Sequence, residues 1–175
     1  MLAHTGSRVA VPDEEEQEQM PKSPQVGEQA PDFELAGTDG AFRLSEHRGE
    51  RVVLLFYPGD NTLVCTKQFC SYRDRADDFS ALNATIVGIS AQDLGSHEAF
   101  ATKHALNVPL LADVEKQVSQ LYDAFSPRLG VKRAVIVIDE QGIVRHRHDH
   151  LLGGRPERTF FRTGRKIPRP QAPPA

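Results

Sequence analysis

Two cysteines, Cys65 and Cys70, are the only thiols in this chain of 175 residues. A thiol becomes a strong nucleophile only as thiolate, and an unperturbed cysteine has a pKa of about 8.5. Cys65 follows the apolar run Val52 to Tyr57 and the Pro58-Gly59 break, and stands near the start of a helical stretch predicted over 63–79. The end of a buried strand is where α/β proteins place their chemistry. A helix N-terminus adds free N–H groups and a partial positive charge that favour thiolate. Cys70 lies five positions further on, so the pair reads Cys-x4-Cys, not the Cys-x2-Cys of a dithiol exchange site. On a helix, five residues rise about 7.5 Å and turn about 140°, which separates the Cα atoms by about 8.6 Å. A disulfide needs about 4.4–6.8 Å. The two thiols can therefore join only if the first helical turns unwind. Taken singly, each cysteine also fits a plainer role as a buried apolar residue.

The elements around this pair alternate. Phe33 to Leu35 and Ala41 to Leu44 flank Thr38-Asp39-Gly40, a hairpin signal, and Ser45 suits the cap of a short helical turn. Val52 to Tyr57, Thr85 to Ile89 and Ala134 to Ile138 are continuous apolar runs, the pattern of strands buried on both faces. Phe69, Tyr72, Ala76 and Phe79 repeat at helical spacing. Ser96 is the expected cap of a helix running to about His104, with His97 on its surface. Pro109 to Leu111 is a short strand, Val114 to Tyr122 a helix, and Ile143 to His150 alternates like an edge strand. The pattern predicts an α/β fold, a central mixed sheet flanked by helices.

The ends have a different character. Residues 1–25 carry the acidic run Asp13 to Glu18 and no aromatic residue, and read as a disordered acidic leader. They contain no apolar stretch of roughly 7–15 residues such as a secretory signal needs. Met20 is an alternative start. Residues 153–175 hold six Arg and Lys against Glu157 and close with Pro168, Pro170, Pro173 and Pro174, a basic Pro-rich tail. The remainder, 26–152, is the expected folded domain. Apolar residues make up 39% of the chain, below the roughly 45–50% typical of globular proteins, as two unpacked ends would produce. No apolar run approaches the roughly 18 residues of a membrane-spanning helix. A formal charge of −3 argues against a dedicated nucleic-acid binder.

The string Phe56-Tyr57-Pro58-Gly59-Asp60-Asn61-Thr62-Leu63-Val64-Cys65-Thr66-Lys67, with its Pro-x-x-x-Thr-x-x-Cys core, resembles the peroxiredoxins. The peroxiredoxin Q (bacterioferritin comigratory protein) branch is the most similar. Gly27 to Phe33, Val87 to Ser90 with Ser96-His97, Pro109 to Asp113 and Arg133 to Asp139 resemble further blocks of that family, so the likeness extends over 27–152. It implies a thioredoxin-like fold and thiol-dependent reduction of hydrogen peroxide and organic hydroperoxides. Cys65 takes the peroxidatic position, Thr62 the hydroxyl, Pro58 the shielding proline and Arg133 the distant arginine. Cys70 occupies the position of a resolving cysteine that would form an intramolecular disulfide, to be reduced by thioredoxin or a related dithiol. Each role has a physical basis. In-line attack builds charge on the leaving oxygen, which donors from Thr62, the backbone near Cys65 and the Arg133 fork would stabilise. Pro58 has no N–H to compete for the peroxide. No metal or other cofactor is required, because the thiols carry the electrons. The expected setting is cytoplasmic, the expected state a monomer or weak homodimer. Alone, Thr62 reads as a helix cap and Arg133 as a surface cation.

Two positions depart from the resemblance. Gln68 stands where the family commonly has Glu, and losing that charge is expected to loosen Arg133. The closing helix that should follow the last strand is missing from 153–175. Outside the motif, His146, His148 and His150 share one face of the last strand, a weak metal signal. Leu63, Val64 and Phe69 suggest tolerance of organic hydroperoxides. The rival readings are a general thiol–disulfide exchanger, against which the missing Cys-x2-Cys counts, a redox sensor or chaperone-like binder, and a product inactivated by its altered C-terminus.

Overall fold

A computed structural model describes residues 23–74 and 83–150. Most of the acidic leader, the end of the helix predicted over 63–79 and the basic tail lie outside the described residues. A hairpin comes first, β1 (Glu34–Gly37) and β2 (Gly40–Arg43), turning at Thr38-Asp39 with Gly40 at φ +108°. A short 3-10 turn, Leu44–His47, leads to β3 (Arg51–Phe56), and β3 leads to α1 (Leu63–Asp74). Then follow β4 (Ala84–Ser90), α2 (Leu94–His104), β5 (Leu110–Ala112) and α3 (Gln117–Leu121). A small pair, β6 (Phe125–Ser126) and β7 (Gly130–Val131), precedes β8 (Arg133–Ile138) and β9 (Val144–His150).

Seven strands form one mixed sheet in the order β2-β1-β5-β4-β3-β8-β9. The central strands β3, β4 and β5 are parallel, and β8 runs antiparallel to β3. Alternation along β3 divides the core. Val52, Leu54 and Phe56 face Phe33, Tyr122 and Ile136, while Val53, Leu55 and Tyr57 face Cys65, Phe69 and Phe100. The apolar runs thus do what their composition requires, filling both faces of a covered sheet. At Gly88 on β4 an added Cβ would come within 2.8 Å of both Phe69 Cζ and Leu110 Cδ2. The missing side chain is what lets α1 lie close to the sheet. The edge strand β9 is where its alternation placed it.

Neither serine serves as the expected cap: each lies inside its helix, with its N–H held by an aspartate. Asp93 Oδ1 accepts the Ser96 N–H of α2 at 2.9 Å, and Asp32 Oδ1 accepts the Ser45 N–H at 2.8 Å. A carboxylate already free of the helix outcompetes a hydroxyl inside it. The β6–β7 pair, which has no alternating run behind it, is not legible from sequence.

Candidate active site

The parallel strands end together at Phe56, Ser90 and Ala112, and the loop 57–62 leaves β3 at that edge. Asn61 in this loop has φ 59°, a left-handed conformation that Asn tolerates better than most residues. It turns the chain into α1. Thr62 then serves as the helix cap: its Oγ1 accepts the Cys65 N–H at 3.2 Å, and its carbonyl accepts the Thr66 N–H at 2.9 Å. Capping consumes a lone pair of the hydroxyl oxygen and leaves its proton free to donate. The capping reading and the donor role are therefore compatible in one side chain. The first turn of α1 contains no acidic residue, so no carboxylate competes for the positive end of the helix.

Cys65 is fully buried, and the Arg133 Nη2–H donates to its Sγ at 3.1 Å. The second nitrogen, Nη1, donates to Oε1 of Gln68, itself buried one turn along the helix. Arg133 begins β8, beside β3 in the sheet, so strand pairing carries the guanidinium to a thiol 68 residues away in sequence. The expectation that Gln68 would loosen Arg133 is corrected: an amide oxygen accepts the same bond that a carboxylate would. It does so without cancelling the charge beside the sulfur.

Cys65, Thr62 and Arg133 are thus joined by hydrogen bonds. Pro58 lies exposed in the same loop. Cys70 is half-buried rather than enclosed, and both cysteines are free thiols in one continuous helix. At that spacing they are about 8.6 Å apart at Cα, beyond bonding distance. Phe69 packs inward on Tyr57 and Phe100, so it offers nothing to a substrate, whereas Leu63 is 81% exposed beside the thiol turn.

Sequence reasoning missed a second polar group behind this loop. His97, expected on the surface of α2, is fully buried. Its Nδ1 lies 2.9 Å from Asp60 Oδ2 and its Nε2 lies 3.2 Å from the Leu111 carbonyl. The hydroxyls of Tyr57 and Ser96 also donate to Asp60, at 2.8 and 2.7 Å. Burial opposes the Asp60 charge, but these bonds and the neighbouring His97 outweigh it and hold the carboxyl below its ordinary range. Burial drives the Tyr57 phenol far upward, aided by Asp60, so it stays a neutral donor. The available signal was His97 standing three residues before Phe100 on the inward stripe of the helix.

A buried thiol at a helix start, on a mixed sheet and beside an arginine, defines the class of thiol-reactive proteins with a thioredoxin-like fold. Residues 26–147 match the AhpC/TSA family, and the chain belongs to this family of peroxiredoxins, which are thiol-dependent peroxidases. It is similar to peroxiredoxin Bcp of Bacillus subtilis, 35% identical over 126 residues, which cover 67% of this chain and 80% of that protein. Chloroplastic peroxiredoxin Q of Triticum aestivum is 37% identical over 140 residues, covering 78% of this chain and 64% of the relative. The crystal structure of peroxidoxin BcpB from Mycobacterium tuberculosis aligns with a TM-score of 0.69 at 33% identity, over 74% of this chain and 88% of that one. Among the described residues no helix is long and apolar enough to cross a membrane.

Proposed function

We propose that Cys65 is the peroxidatic cysteine and that Cys70 resolves it within the same chain. The observation that carries this reading is the Arg133 Nη2–H bond to Cys65 Sγ, in a helical turn capped by Thr62. The Cys65 thiolate attacks one peroxide oxygen, the O–O bond breaks, and the departing oxygen takes a proton and leaves as water or an alcohol. Cys65 becomes a sulfenic acid. The Thr62 hydroxyl and the Arg133 fork stabilise the charge on the leaving oxygen, and Pro58 walls the approach without an N–H of its own. The Cys70 thiol then attacks the sulfenate sulfur, water leaves, and a disulfide forms once the start of α1 unwinds. Thioredoxin or a related dithiol supplies the two electrons that restore both thiols. On this reading 26–152 is the peroxidase domain and the thiol cycle operates in a reducing, cytoplasmic setting. A resolver in the same chain needs no second subunit, which suits a monomer or weak homodimer.

Stopped-flow oxidation of the reduced protein by hydrogen peroxide, with intact-mass analysis, tests both assignments. The expected result is a reaction far faster than that of an ordinary thiol and a monomer lighter by two hydrogens. Cys65→Ser should abolish peroxide consumption. Cys70→Ser should keep the fast first oxidation but stop at a sulfenate or mixed disulfide. A gain of one oxygen in the wild-type protein would reassign resolution to an outside thiol.

A further inference from the structure

Between the two loop residues assigned above, Pro58 and Thr62, lies Asp60, the most heavily bonded side chain in the loop. Its side chain is 2% exposed, and its two oxygens receive Tyr57 OH, Ser96 OH and the Nδ1 edge of His97. Its backbone N–H faces Gln92 Oε1 at 3.4 Å. His97 continues the chain of contacts to β5, since its Nε2 faces the Leu111 carbonyl. A carbonyl only accepts, so Nε2 must carry a proton. Oδ2 of Asp60 and Nδ1 must share another, because two bare lone pairs at 2.9 Å would repel. The imidazole thus bridges the active-site loop and the middle of the sheet. Burying so polar a ring between Tyr57 and Leu111 is costly unless both nitrogens are satisfied. Both are satisfied here. The loop also turns at Asn61, which adopts a left-handed conformation.

We propose that His97 is a positioning residue for peroxide reduction: through its Nδ1–Asp60 bond it sets the 58–62 loop, and with it the Thr62 hydroxyl, over Cys65. This rests on the assignment of Cys65 and Thr62 above. His97 touches neither thiol nor substrate and acts only through Asp60. Misplacing a reacting group by about 1 Å can cost about 100-fold in rate, so a tie two bonds from the thiol has enough leverage to matter.

Two conservative variants separate the ends of the ring. In His97→Asn the amide nitrogen stands near the position of Nδ1 and retains the Asp60 bond while giving up Leu111. In His97→Gln it stands near Nε2 and retains the Leu111 bond while giving up Asp60. Each is measured for two rates, oxidation of Cys65 by hydrogen peroxide and alkylation of Cys65 by iodoacetamide, which needs the thiolate but not the Thr62 donor. His97→Gln is expected to lose about tenfold or more in the peroxide rate with alkylation unchanged, and His97→Asn to stay near wild type in both. Asp60→Ala, which removes both acceptor oxygens, should match His97→Gln, and the double variant should be no worse than either single one. Equal peroxide rates in His97→Asn and His97→Gln, or additive losses in the double variant, would overturn the proposal. So would parallel losses of both rates, which would mean a general loosening of the fold. If His97→Gln does not fold, the Asp60→Ala and His97→Asn pair decides by the same criteria. A wild-type protein no faster with peroxide than an ordinary thiol would instead remove the Cys65 assignment, whatever the variants do.

Discussion

Arg133 divides one guanidinium between a sulfur and an amide, and that division accounts for both of its duties. Nη1 on Gln68 fixes the plane, and Nη2 then points at Cys65. A lysine would keep the charge but cannot reach two acceptors from one rigid fork. Arg133→Lys is therefore expected to slow the first oxidation by about 100-fold, the lower end of the cost of losing one well-placed donor, as read by stopped flow. An unchanged rate would remove Arg133 from the site. Gln68 makes a second case. Because it is neutral, the Arg133 charge acts on the sulfur uncompensated, whereas a Glu would pair with it in a buried setting where charges are weakly screened. Gln68→Glu should keep the bond yet slow peroxide oxidation several-fold, and a rate equal to wild type would show that only the bond matters. The types of these residues were readable in the sequence, but the bond between them was not. Gln68 and Arg133 are 65 positions apart, and only strand pairing brings them into contact.

At the scale of elements, α1 is held both at its first turn and along its underside. The underside contact is Phe69 on Gly88, where any Cβ would meet ring atoms at 2.8–3.0 Å. Gly88→Ala should cost about 1–3 kcal/mol of stability, as overfilling of a packed core does. It should also slow peroxide oxidation by lifting Cys65 from Arg133. A thermal melt and the stopped-flow trace together check this, and loss of stability without loss of rate would uncouple α1 packing from the thiol. The helix carries a second consequence. Cys65 and Cys70 cannot bond while α1 is whole, so one equivalent of peroxide should reduce the far-ultraviolet helical signal, and a dithiol should restore it. Full helicity in the oxidised protein would contradict an internal disulfide. The doubly apolar strands and the start of α1 were legible because burial on both faces and a Pro-Gly break leave direct marks in composition. The caps were not, since a capping aspartate differs from an exposed one only in what folds against it, and His97 left no mark but its spacing from Phe100.

For the whole molecule, the edges of the sheet matter more than its centre, because β9 is paired on one side only. Facing the α1 side, β9 carries His146 and His148, opposite Val137 and Val135 of β8. A covering helix would ask for apolar residues at those two positions. The strand is fastened at its start instead. Asp139, nearly buried at the end of β8, accepts the Gln141 and Ile143 N–H groups at 3.0 and 2.8 Å and pairs with Arg145. Burial alone would raise its pKa, but these bonds and the arginine bring it below the ordinary aspartate value of 3.8. A carboxyl more acidic in the native than in the unfolded chain stabilises the fold above the unfolded value, and that contribution disappears as pH falls through the native one. Asp60 shares the sign, since its pKa is also lowered. The stability of the wild-type protein should thus be level above about pH 5 and fall below about pH 4. Asp139→Asn, unable to carry the charge, should start about 1–2 kcal/mol lower, decline less steeply, and meet the wild-type curve in acid. Denaturant melts from pH 3 to 7 test this directly. Parallel curves for the two proteins would mean that the Asp139 charge does not help hold β9, and that the edge strand depends on its backbone ladder alone.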